Sequence, residues 1–343
     1  MNRNLFGSFL FFVSTMTFAQ EKLDIHISSS AKPGQIVVTA GGKPFTSFLY
    51  PDSLEKPVLY PIYAPDEEII TRGFPIESRP NESTDHPHHI GLWLNYENVN
   101  GLDFWNNSYA IPAEKKSSYG WIKTNSEIET KSGREGSIIY SANWEDQKKN
   151  ILLKELTQYI FTAYADKRII DRITTLIAQQ DISFTDSKDG LLGLRVTHEL
   201  ELPSAQPKQF TDNKGNVTTV APNAQVTGNY LTSEGKQGDS AWGTRARWCM
   251  LYGKKNNDTI SIVIIDHPHN PGYPTYWHAR GYGLFAANPL GEKIFSNGKE
   301  TLDFKLKKGS PVTFRYRIVI ASGKKRLEES AINRLESEFS KLK

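Results

Sequence analysis

The sequence predicts an all-β protein, a large antiparallel β-sandwich with one amphipathic helix at its C-terminal end. Runs rich in β-branched and aromatic residues recur along the chain, separated by short clusters of Gly, Pro, Asn and Asp. Helical spacing of apolar residues is confined to the end of the chain. No strand–helix alternation of the kind that a parallel sheet needs is present.

Several segments have the composition or the alternation of strands. They are residues 36–39, 90–96, 137–144, 156–165, 169–177, 192–202, 260–265 and 312–320. The residues on either side of Asp166-Lys167 predict a β-hairpin, because two apolar runs meet there across a polar pair. Strands this numerous and this short are typical of a sandwich of two sheets.

The end of the chain predicts the helix, over residues 325–342. Its apolar positions recur at helical spacing, at Leu327, Ile332, Leu335 and Phe339. A longer polar stretch, residues 204–238, is rich in Gln, Thr, Asn and Gly and predicts the longest loop. It would serve either as a lid or as a surface excursion without a role.

The first residues resemble a secretory signal peptide. Arg3 precedes an apolar stretch over residues 5–18, and Ala19 ends a segment suited to cleavage. The stretch is too short for a spanning helix, and no later segment approaches that length. We expect a signal peptide at residues 1–19, one β-sandwich domain over residues 20–343, and a periplasmic or secreted protein without membrane insertion after cleavage.

Charge and cysteine content narrow the class of protein. The net charge is +3, from 41 basic and 38 acidic residues, so no nucleic-acid partner is expected. The only cysteine, Cys249, cannot form an internal disulfide, and we interpret it as a small buried hydrophobic residue. Phosphate-binding, dinucleotide-binding and nucleophile-elbow motifs are absent from the sequence. The oligomeric state stays open.

The string Asp-His-Pro-His occurs twice, at residues 85–88 and 266–269, and uses four of only eight histidines. Histidine titrates near neutral pH and is the commonest metal ligand. We expect the two copies to be rigid turns that form two walls of one site. His88 and His269 would then lie on the same side of the sandwich.

The first copy is followed at once by His89. In an extended segment His88 and His89 point to opposite faces, so at most one of them lines a pocket directly. His89, or His88 in its place, is the candidate acid or base. Asp85 would orient an imidazole, and His86 would contact the substrate. Metal ligation and structural hydrogen bonding are the alternative uses of these histidines.

The second copy directly follows an apolar strand, which places Asp266 at a strand end. Asp266 is a candidate partner carboxylate, and His267 and His269 are candidate substrate contacts, since rigid strands often present binding residues on the loops they support. The alternative is a proline-rich turn in which Asp and Asn cap their own backbone.

Residues 275–283 interleave aromatic and polar side chains in a way that suits a sugar. Aromatic rings pack on the C–H faces of sugars, and fixed polar groups bind the hydroxyls. Trp277, His278 and Arg280 are the candidate contacts, with Arg280 able to hold a carboxylate or sulfate. The alternative is that Trp277 and Tyr282 belong to the core. Asn288 is a further candidate contact.

A fourth cluster lies in the predicted strand 192–202. Arg195 and His198 would face opposite sides of that strand, whereas Arg195 and Glu199 would share a side and pair. Arg195 and His198 are candidate substrate contacts. Glu199 is a candidate general acid or base, because a carboxylate beside an imidazole can be tuned toward neutral pH.

At these clusters the chain resembles the bacterial PmoA-like family, which carries the name methane oxygenase PmoA. The resembling segments include Asp-His-Pro-His-His-Ile-Gly-Leu-Trp, and they are residues 85–93, 101–105, 189–196, 264–268, 277–284 and 287–289. The resemblance implies a secreted protein of the type found in glycan-degrading Bacteroidota, with a sandwich resembling the galactose-mutarotase-like fold. It supplies no settled catalytic residues. The oxygenase name is not expected to apply, because the particulate enzyme is a membrane protein.

These observations favour a carbohydrate-active enzyme that acts on an oligosaccharide or modified sugar. Hydrolysis, elimination and epimerisation all remain open as the reaction. One alternative is a non-catalytic glycan-binding protein that uses the same aromatic residues. Another is a metal-dependent enzyme with histidine ligands to a divalent metal, although no metal ligands are assigned and the cofactor stays open.

Overall fold

The computed structural model describes residues 21–211, 217–220 and 222–342. It shows a sandwich of antiparallel sheets with a C-terminal helix, so the predicted fold class is confirmed. The predicted signal peptide at residues 1–19 lies outside the described residues. None of the described helices is long and apolar enough to cross a membrane.

Strands account for most of the regular structure. The first ten are β1 Ile25–Ser29, β2 Gln35–Ala40, β3 Lys43–Leu49, β4 Val58–Ile62, β5 Leu92–Tyr96, β6 Trp121–Lys131, β7 Gly136–Glu145, β8 Ile151–Ala163, β9 Lys167–Ala178 and β10 Ile182–Phe184. The others are β11 Gly190–Arg195, β12 Lys208–Thr211, β13 Val217–Val220, β14 Asn229–Thr232, β15 Trp248–Lys255, β16 Asp258–Asp266, β17 Tyr276–Ala279, β18 Leu284–Asn288, β19 Phe304–Leu306 and β20 Pro311–Gly323. The α-helices are α1 Glu292–Phe295 and α2 Glu329–Phe339, and 3₁₀ turns cover Ala113–Ser118, His198–Leu200 and Gly238–Ala241.

Two eight-stranded sheets form the sandwich. The first sheet has the order β1-β2-β3-β4-β5-β11-β18-β17, and the second has the order β14-β15-β16-β20-β9-β8-β7-β6. Two small two-stranded sheets, β10-β19 and β12-β13, lie outside them. Neighbouring strands pair antiparallel, as short turn-rich connections between strands favour.

The core lies between the two sheets and follows the two-residue period of strands. In β7, buried and half-buried residues alternate, and Ile138, Tyr140 and Trp144 point into the core. Cys249 of β15 is fully buried in the same core, and burial raises the pKa of its thiol well above the usual value. The interpretation of Cys249 as a small buried hydrophobic residue is therefore confirmed.

The helix α2 covers the outer face of the second sheet. Its buried residues Ile332 and Phe339 pack against Trp248, Val263 and Val319, which point away from the central core. The helix begins at Glu329 and ends at Phe339, so it is shorter at both ends than the predicted span.

The outer face of the first sheet has its own apolar layer. Its buried members are Val58, Tyr60, Ile90, Trp93, Trp105, Leu284 and Ala286. In β11, Leu192 and Leu194 point into the central core, so the alternate positions Gly193 and Arg195 face this outer layer. A few polar side chains within an apolar layer of this kind are typical of a binding site.

Two of the sequence predictions for this part of the fold differ from the structure. The predicted strand 192–202 ends at Arg195, because the chain turns away to pair with Gly283 and then forms the 3₁₀ turn His198–Leu200. The predicted loop 204–238 contains β12, β13 and β14, although residues 212–216 and 221 lie outside the described residues. The hairpin around Asp166-Lys167 is confirmed as β8 and β9.

Candidate functional site

The first Asp-His-Pro-His segment forms a tight turn just before β5. His86 has a positive φ of 46°, and the backbone N–H of His89 donates to the His86 carbonyl at 2.9 Å. The turn brings together three rings, which we call the histidine cluster: His86, His88 and His89. Ring centroids are 4.8 Å apart for His86 and His89, and 4.3 Å apart for His88 and His89. The prediction that His88 and His89 point to opposite faces is wrong, because the segment is not extended.

Asp85 is fixed by two buried arginines. Its Oδ1 lies 3.3 Å from Nη1 of Arg72 and 3.5 Å from Nη2 of Arg195, and all three side chains are buried. Its other oxygen, Oδ2, is hydrogen-bonded to Nδ1 of His86. Burial alone would raise the pKa of the Asp85 carboxyl, but Arg195, His86 and Arg72 together hold it well below its usual range. Asp85 is therefore an ionised acceptor for the His86 ring.

Arg72 also holds the backbone of the turn. Its guanidinium donates to the carbonyl oxygens of Asp85 at 2.9 Å, of His86 at 2.9 Å and of His89 at 3.2 Å. Arginine suits this position because its planar fork presents five donors in fixed directions. The strained backbone at His86 is thus stabilised by a side chain from a distant part of the chain.

His88 and His89 are buried, and burial lowers the pKa of both rings well below the usual histidine value. Arg195 Nη1 lies 3.3 Å from Nδ1 of His89. Since a guanidinium only donates, Nδ1 accepts and Nε2 carries the proton of the neutral ring. Nε2 of His89 and both ring nitrogens of His88 have no hydrogen-bond partner among the described residues. Buried polar atoms of this kind are uncommon and are typical of functional sites.

Acid is expected to destabilise the protein through His88 and His89. Both rings have a lower pKa in the folded protein than in the unfolded chain, so protonation favours unfolding. The stability that is present above the pKa of the unfolded chain is therefore lost as the pH falls. The loss begins near pH 6.5, about the value of an unperturbed histidine, and reaches about 1.4 kcal/mol per pH unit for each ring. Urea unfolding at about pH 7.5 and about pH 5.5 measures it. His88→Gln should show the smaller difference, and equal pH dependence in both proteins would contradict the assignment.

Aromatic rings line both sides of the histidine cluster. His86 stacks between His89 and Tyr282, with centroids 4.8 Å and 5.5 Å away and nearly parallel planes. His89 in turn stacks on Trp93 at 5.3 Å, and Trp105 meets it edge-on at 5.9 Å. Stacking on both faces fixes the ring planes of His86 and His89.

Gly193 leaves the space that the tryptophans occupy. A Cβ at this position would lie 2.4 Å from Cζ2 of Trp93 and 2.9 Å from Cη2 of Trp105. Gly193→Ala is therefore expected to cost about 1–3 kcal/mol in unfolding free energy, because the buried rings must shift. Gly323→Ala is the matched control, since its nearest atom lies 3.8 Å away. Equal melting temperatures of the two variants would contradict this packing.

A cavity of about 420 Å³ opens beside Tyr282. We call it the Tyr282 cavity, and its side chains include Asp239, Trp242, Arg280 and Tyr282. The Arg280 guanidinium lies 5.7 Å from the ring centroid of Tyr282 and 5.8 Å from that of Trp242. Tyr282 thus separates this cavity from His86, which stacks on its ring. The predicted contact Arg280 therefore lines this cavity. The guanidinium of Arg195, another predicted contact, lies 4.8 Å from the Tyr282 ring.

The second Asp-His-Pro-His segment has a different environment. Asp266 accepts hydrogen bonds from the backbone of Thr275 at 2.8 Å and from the side chain of Asn270 at 2.7 Å. Burial raises the pKa of Asp266 to about 7. The ring of His267 meets Phe339 of α2 edge-on at 5.0 Å, and His269 contacts the ring of His267. This is the alternative predicted above, a turn whose Asp and Asn satisfy its own backbone.

The expectation that the two copies form one site is wrong. The histidine cluster lies with Trp93 on the outer face of the first sheet, whereas His267 lies under α2 on the outer face of the second sheet. The physical reason is that the two copies adjoin strands of different sheets. The first copy leads into β5 of the first sheet, and the second copy leaves β16 of the second sheet. Asp266, His267 and His269 are therefore separated from the cluster by the central core.

His198 and Glu199 also lie away from the cluster, because the chain has left the sheet. Glu199 pairs with Lys255 at 2.9 Å, so the predicted pair with Arg195 is wrong. Nδ1 of His198 lies 3.8 Å from Glu201, whose carboxylate raises the pKa of the ring. Glu199 lines a separate cavity of about 480 Å³ together with Glu67, Glu68 and Glu82.

Trp277, His278 and Asn288 have structural contacts. Trp277 lies in the central core and donates its indole N–H to a backbone carbonyl at 3.0 Å, as the alternative interpretation predicted. His278 donates to the Lys188 carbonyl at 3.1 Å, and burial lowers the pKa of its ring to about 4. Asn288 donates to the carbonyls of Ser187 and Lys188 at 2.8 and 2.9 Å. His278 and Asn288 thus fasten the loop before β11 to the first sheet.

The sequence predictions missed Arg72 and Lys56. Lys56 is buried, donates to the His88 carbonyl at 2.7 Å and has its pKa lowered to about 8 by burial. No motif marks either residue, and both are far from the cluster along the chain. Trp93 and Trp105 fell inside the resembling segments, but no role was assigned to them.

Within residues 21–211, 217–220 and 222–342, no group of three or more His, Cys, Asp or Glu side chains is arranged to hold a metal ion.

The match to a protein family covers nearly the whole sandwich. The model of a family described as Family of unknown function (DUF6807) matches residues 35–335. The chain belongs to the DUF6807 family. The matched residues include both Asp-His-Pro-His segments and the Tyr282 cavity. This description names neither a function nor PmoA. The resemblance of the DUF6807 chain to PmoA-like proteins therefore stays a prediction. No curated protein matches the chain.

Three solved structures illustrate what the DUF6807 chain is similar to. The GH36 α-galactosidase AgaB from Geobacillus stearothermophilus is 10% identical with a TM-score of 0.39, over 88% of this chain and 41% of that one. The chain thus spans about two fifths of the length of that enzyme. A galactose mutarotase-like protein from Clostridium acetobutylicum is 11% identical with a TM-score of 0.35, over 88% and 99%. Slr1438 from Synechocystis sp. PCC 6803 is 8% identical with a TM-score of 0.31, over 92% and 100%.

Proposed function

We propose that this DUF6807 protein is a carbohydrate-active enzyme in which His86 transfers a proton and Asp85 orients its ring. The observation that carries the proposal is an ionised, arginine-held carboxylate bonded to a histidine whose side chain is 29% exposed. A histidine oriented by a buried aspartate is one arrangement that serves general acid–base catalysis. Hydrolysis, elimination and epimerisation of a sugar each include a proton transfer that such a group can perform.

The geometry favours His86 over its neighbours as the acid–base group. His88 and His89 are buried and held neutral, whereas His86 reaches solvent. Because Nδ1 of His86 donates to Asp85, the lone pair of the neutral ring lies on Nε2, which accepts the proton. The ionised Asp85 then stabilises the imidazolium that forms. His89 and its stacked tryptophan hold the His86 ring in place.

The Tyr282 cavity supports a sugar as the substrate. Its walls offer the rings of Tyr282 and Trp242, on which the C–H faces of a sugar pack. Arg280 and Asp239 provide a small number of polar groups for the hydroxyls. His86 stacks on the Tyr282 ring, so one ring lies between this cavity and the proposed acid–base group.

A non-catalytic glycan-binding protein is the second candidate. The observation that favours it is the position of Asp266 and Glu199, which were predicted as partner carboxylates and lie outside the site. A glycosidase of the common type uses two carboxylates that flank the scissile bond. The same aromatic rings and Arg280 would bind a sugar without turning it over.

A turnover screen tests the proposal. The mature protein is incubated with a panel of neutral and acidic oligosaccharides, and products are followed by mass spectrometry. We expect a product that wild-type protein and His269→Gln form and that His86→Gln does not. Sugar binding without any product would favour the glycan-binding protein, and equal product from His86→Gln would contradict the role of His86.

Export is part of the same proposal. The apolar segment at residues 5–18 is predicted to direct the chain to the periplasm or the medium. N-terminal sequencing of protein recovered from those fractions is expected to begin at Gln20. Recovery of the full-length chain from the cytoplasm alone would contradict it.

A further inference from the structure

Arg280 is held by aromatic rings instead of by a carboxylate. Its guanidinium lies close to the rings of Tyr282 and Trp242, and no oxygen of the described residues accepts a hydrogen bond from it. A guanidinium is a planar fork of donors without any acceptor. Since Arg280 lines the Tyr282 cavity, these donors are available to a ligand there.

Trp242 supplies an aromatic wall of the same cavity. Its indole N–H is buried and has no hydrogen-bond partner among the described residues. An indole nitrogen only donates, so it also requires an acceptor. Arg280 therefore supplies the accessible donors at this cavity, and they favour a ligand that carries acceptor oxygens.

Asp239 lines the same cavity but does not neutralise Arg280. The two side chains form no ion pair, and no hydrogen bond to the Asp239 carboxylate links it to another side chain of the described residues. A cavity that keeps a guanidinium and a carboxylate apart offers two different polar positions. The first suits an anionic group, and the second accepts hydrogen bonds from hydroxyls.

We infer that the Tyr282 cavity binds an acidic sugar, with the sugar carboxylate on Arg280 and hydroxyls on Asp239. This inference rests on the proposed function and names its substrate class. A carboxylate is planar and matches the guanidinium fork with two parallel hydrogen bonds. A neutral sugar offers Arg280 only hydroxyl oxygens, which carry no charge and do not match both arms of the guanidinium fork.

Calorimetric titration with D-glucuronate and D-glucose tests the inference. Glucuronate is expected to bind about 10- to 100-fold more tightly than glucose, the range of one or two charge-assisted hydrogen bonds. Arg280→Gln should remove this preference and keep the binding of glucose. Arg280→Lys should restore only part of it, because an ammonium does not form the bidentate pair. Arg326→Gln is the control, since Arg326 lies 5.4 Å from the Tyr252 ring, at a different surface.

Several outcomes would overturn the inference. They are equal binding of glucuronate and glucose, a preference that survives in Arg280→Gln, tighter binding of a glucose sulfate ester than of glucuronate, and no binding of any of these probes.

The proposed function fails separately. His86-dependent turnover of a neutral sugar, unchanged in Arg280→Gln, would keep the enzyme and reject the acidic substrate. Arg280-dependent binding of glucuronate without turnover of any sugar would keep the acidic ligand and reject catalysis.

Discussion

Replacing His86 by glutamine is expected to lower kcat by about 100- to 10,000-fold on a sugar that the wild-type protein turns over, the usual contribution of a general acid–base group. Glutamine keeps a donor for Asp85 but cannot take up a proton near neutral pH. KM should change less than kcat, because the aromatic walls and Arg280 bind the sugar. Steady-state kinetics of the purified variant measures both constants.

The second Asp-His-Pro-His segment supplies the control for this result. His269→Gln makes the same substitution in the same tetrapeptide, on the far side of the sandwich. Its kcat is expected to equal that of the wild-type protein. A kcat for His86→Gln that matches the value for His269→Gln would show that His86 does not transfer the proton.

Replacing Asp85 by alanine is expected to lower the free energy of unfolding by about 3–5 kcal/mol. The reason is that Arg72 and Arg195 would keep their positive charges in the interior without their shared carboxylate. The turn that carries the histidine cluster depends on the same arginines, so the variant should also lose activity. Urea unfolding at constant pH measures the change in stability.

An exposed ion pair provides the comparison for Asp85. Asp181 lies 2.9 Å from Lys307, and both side chains are mostly in solvent. Asp181→Ala should therefore change the unfolding free energy little, since solvent screens such pairs. A loss for Asp85→Ala no larger than that for Asp181→Ala would mean that Asp85 is not the counter-charge of the two buried arginines.

The fold could be predicted because its signals are local. Alternation in β7 and the apolar runs of β8 and β9 record which face of each strand is buried, and the hairpin between them needs only neighbouring residues. The C-terminal helix was predicted from the spacing of its apolar residues in the same way. Its exact ends depend on where the chain leaves the second sheet, which spacing alone does not report.

The site could be predicted only in part because its contacts are non-local. The tetrapeptide at Asp85 identified the histidine cluster, but the tetrapeptide at Asp266 has the same letters and a structural role. Which sheet a turn joins depends on strand pairing across the whole chain, and the tetrapeptide itself carries no such information. Arg72 reaches Asp85 from outside any motif. The positive φ of His86 bends the segment, so the alternation expected of an extended chain did not apply.

The most direct test of the account is the position of a bound sugar in a crystal structure of His86→Gln, a variant expected to bind substrate without consuming it. We expect a sugar that fills the Tyr282 cavity and extends past the edge of the Tyr282 ring, within hydrogen-bond reach of the side chain at position 86. A sugar bound in the cavity beside Glu199, or under α2 next to His269, would contradict it.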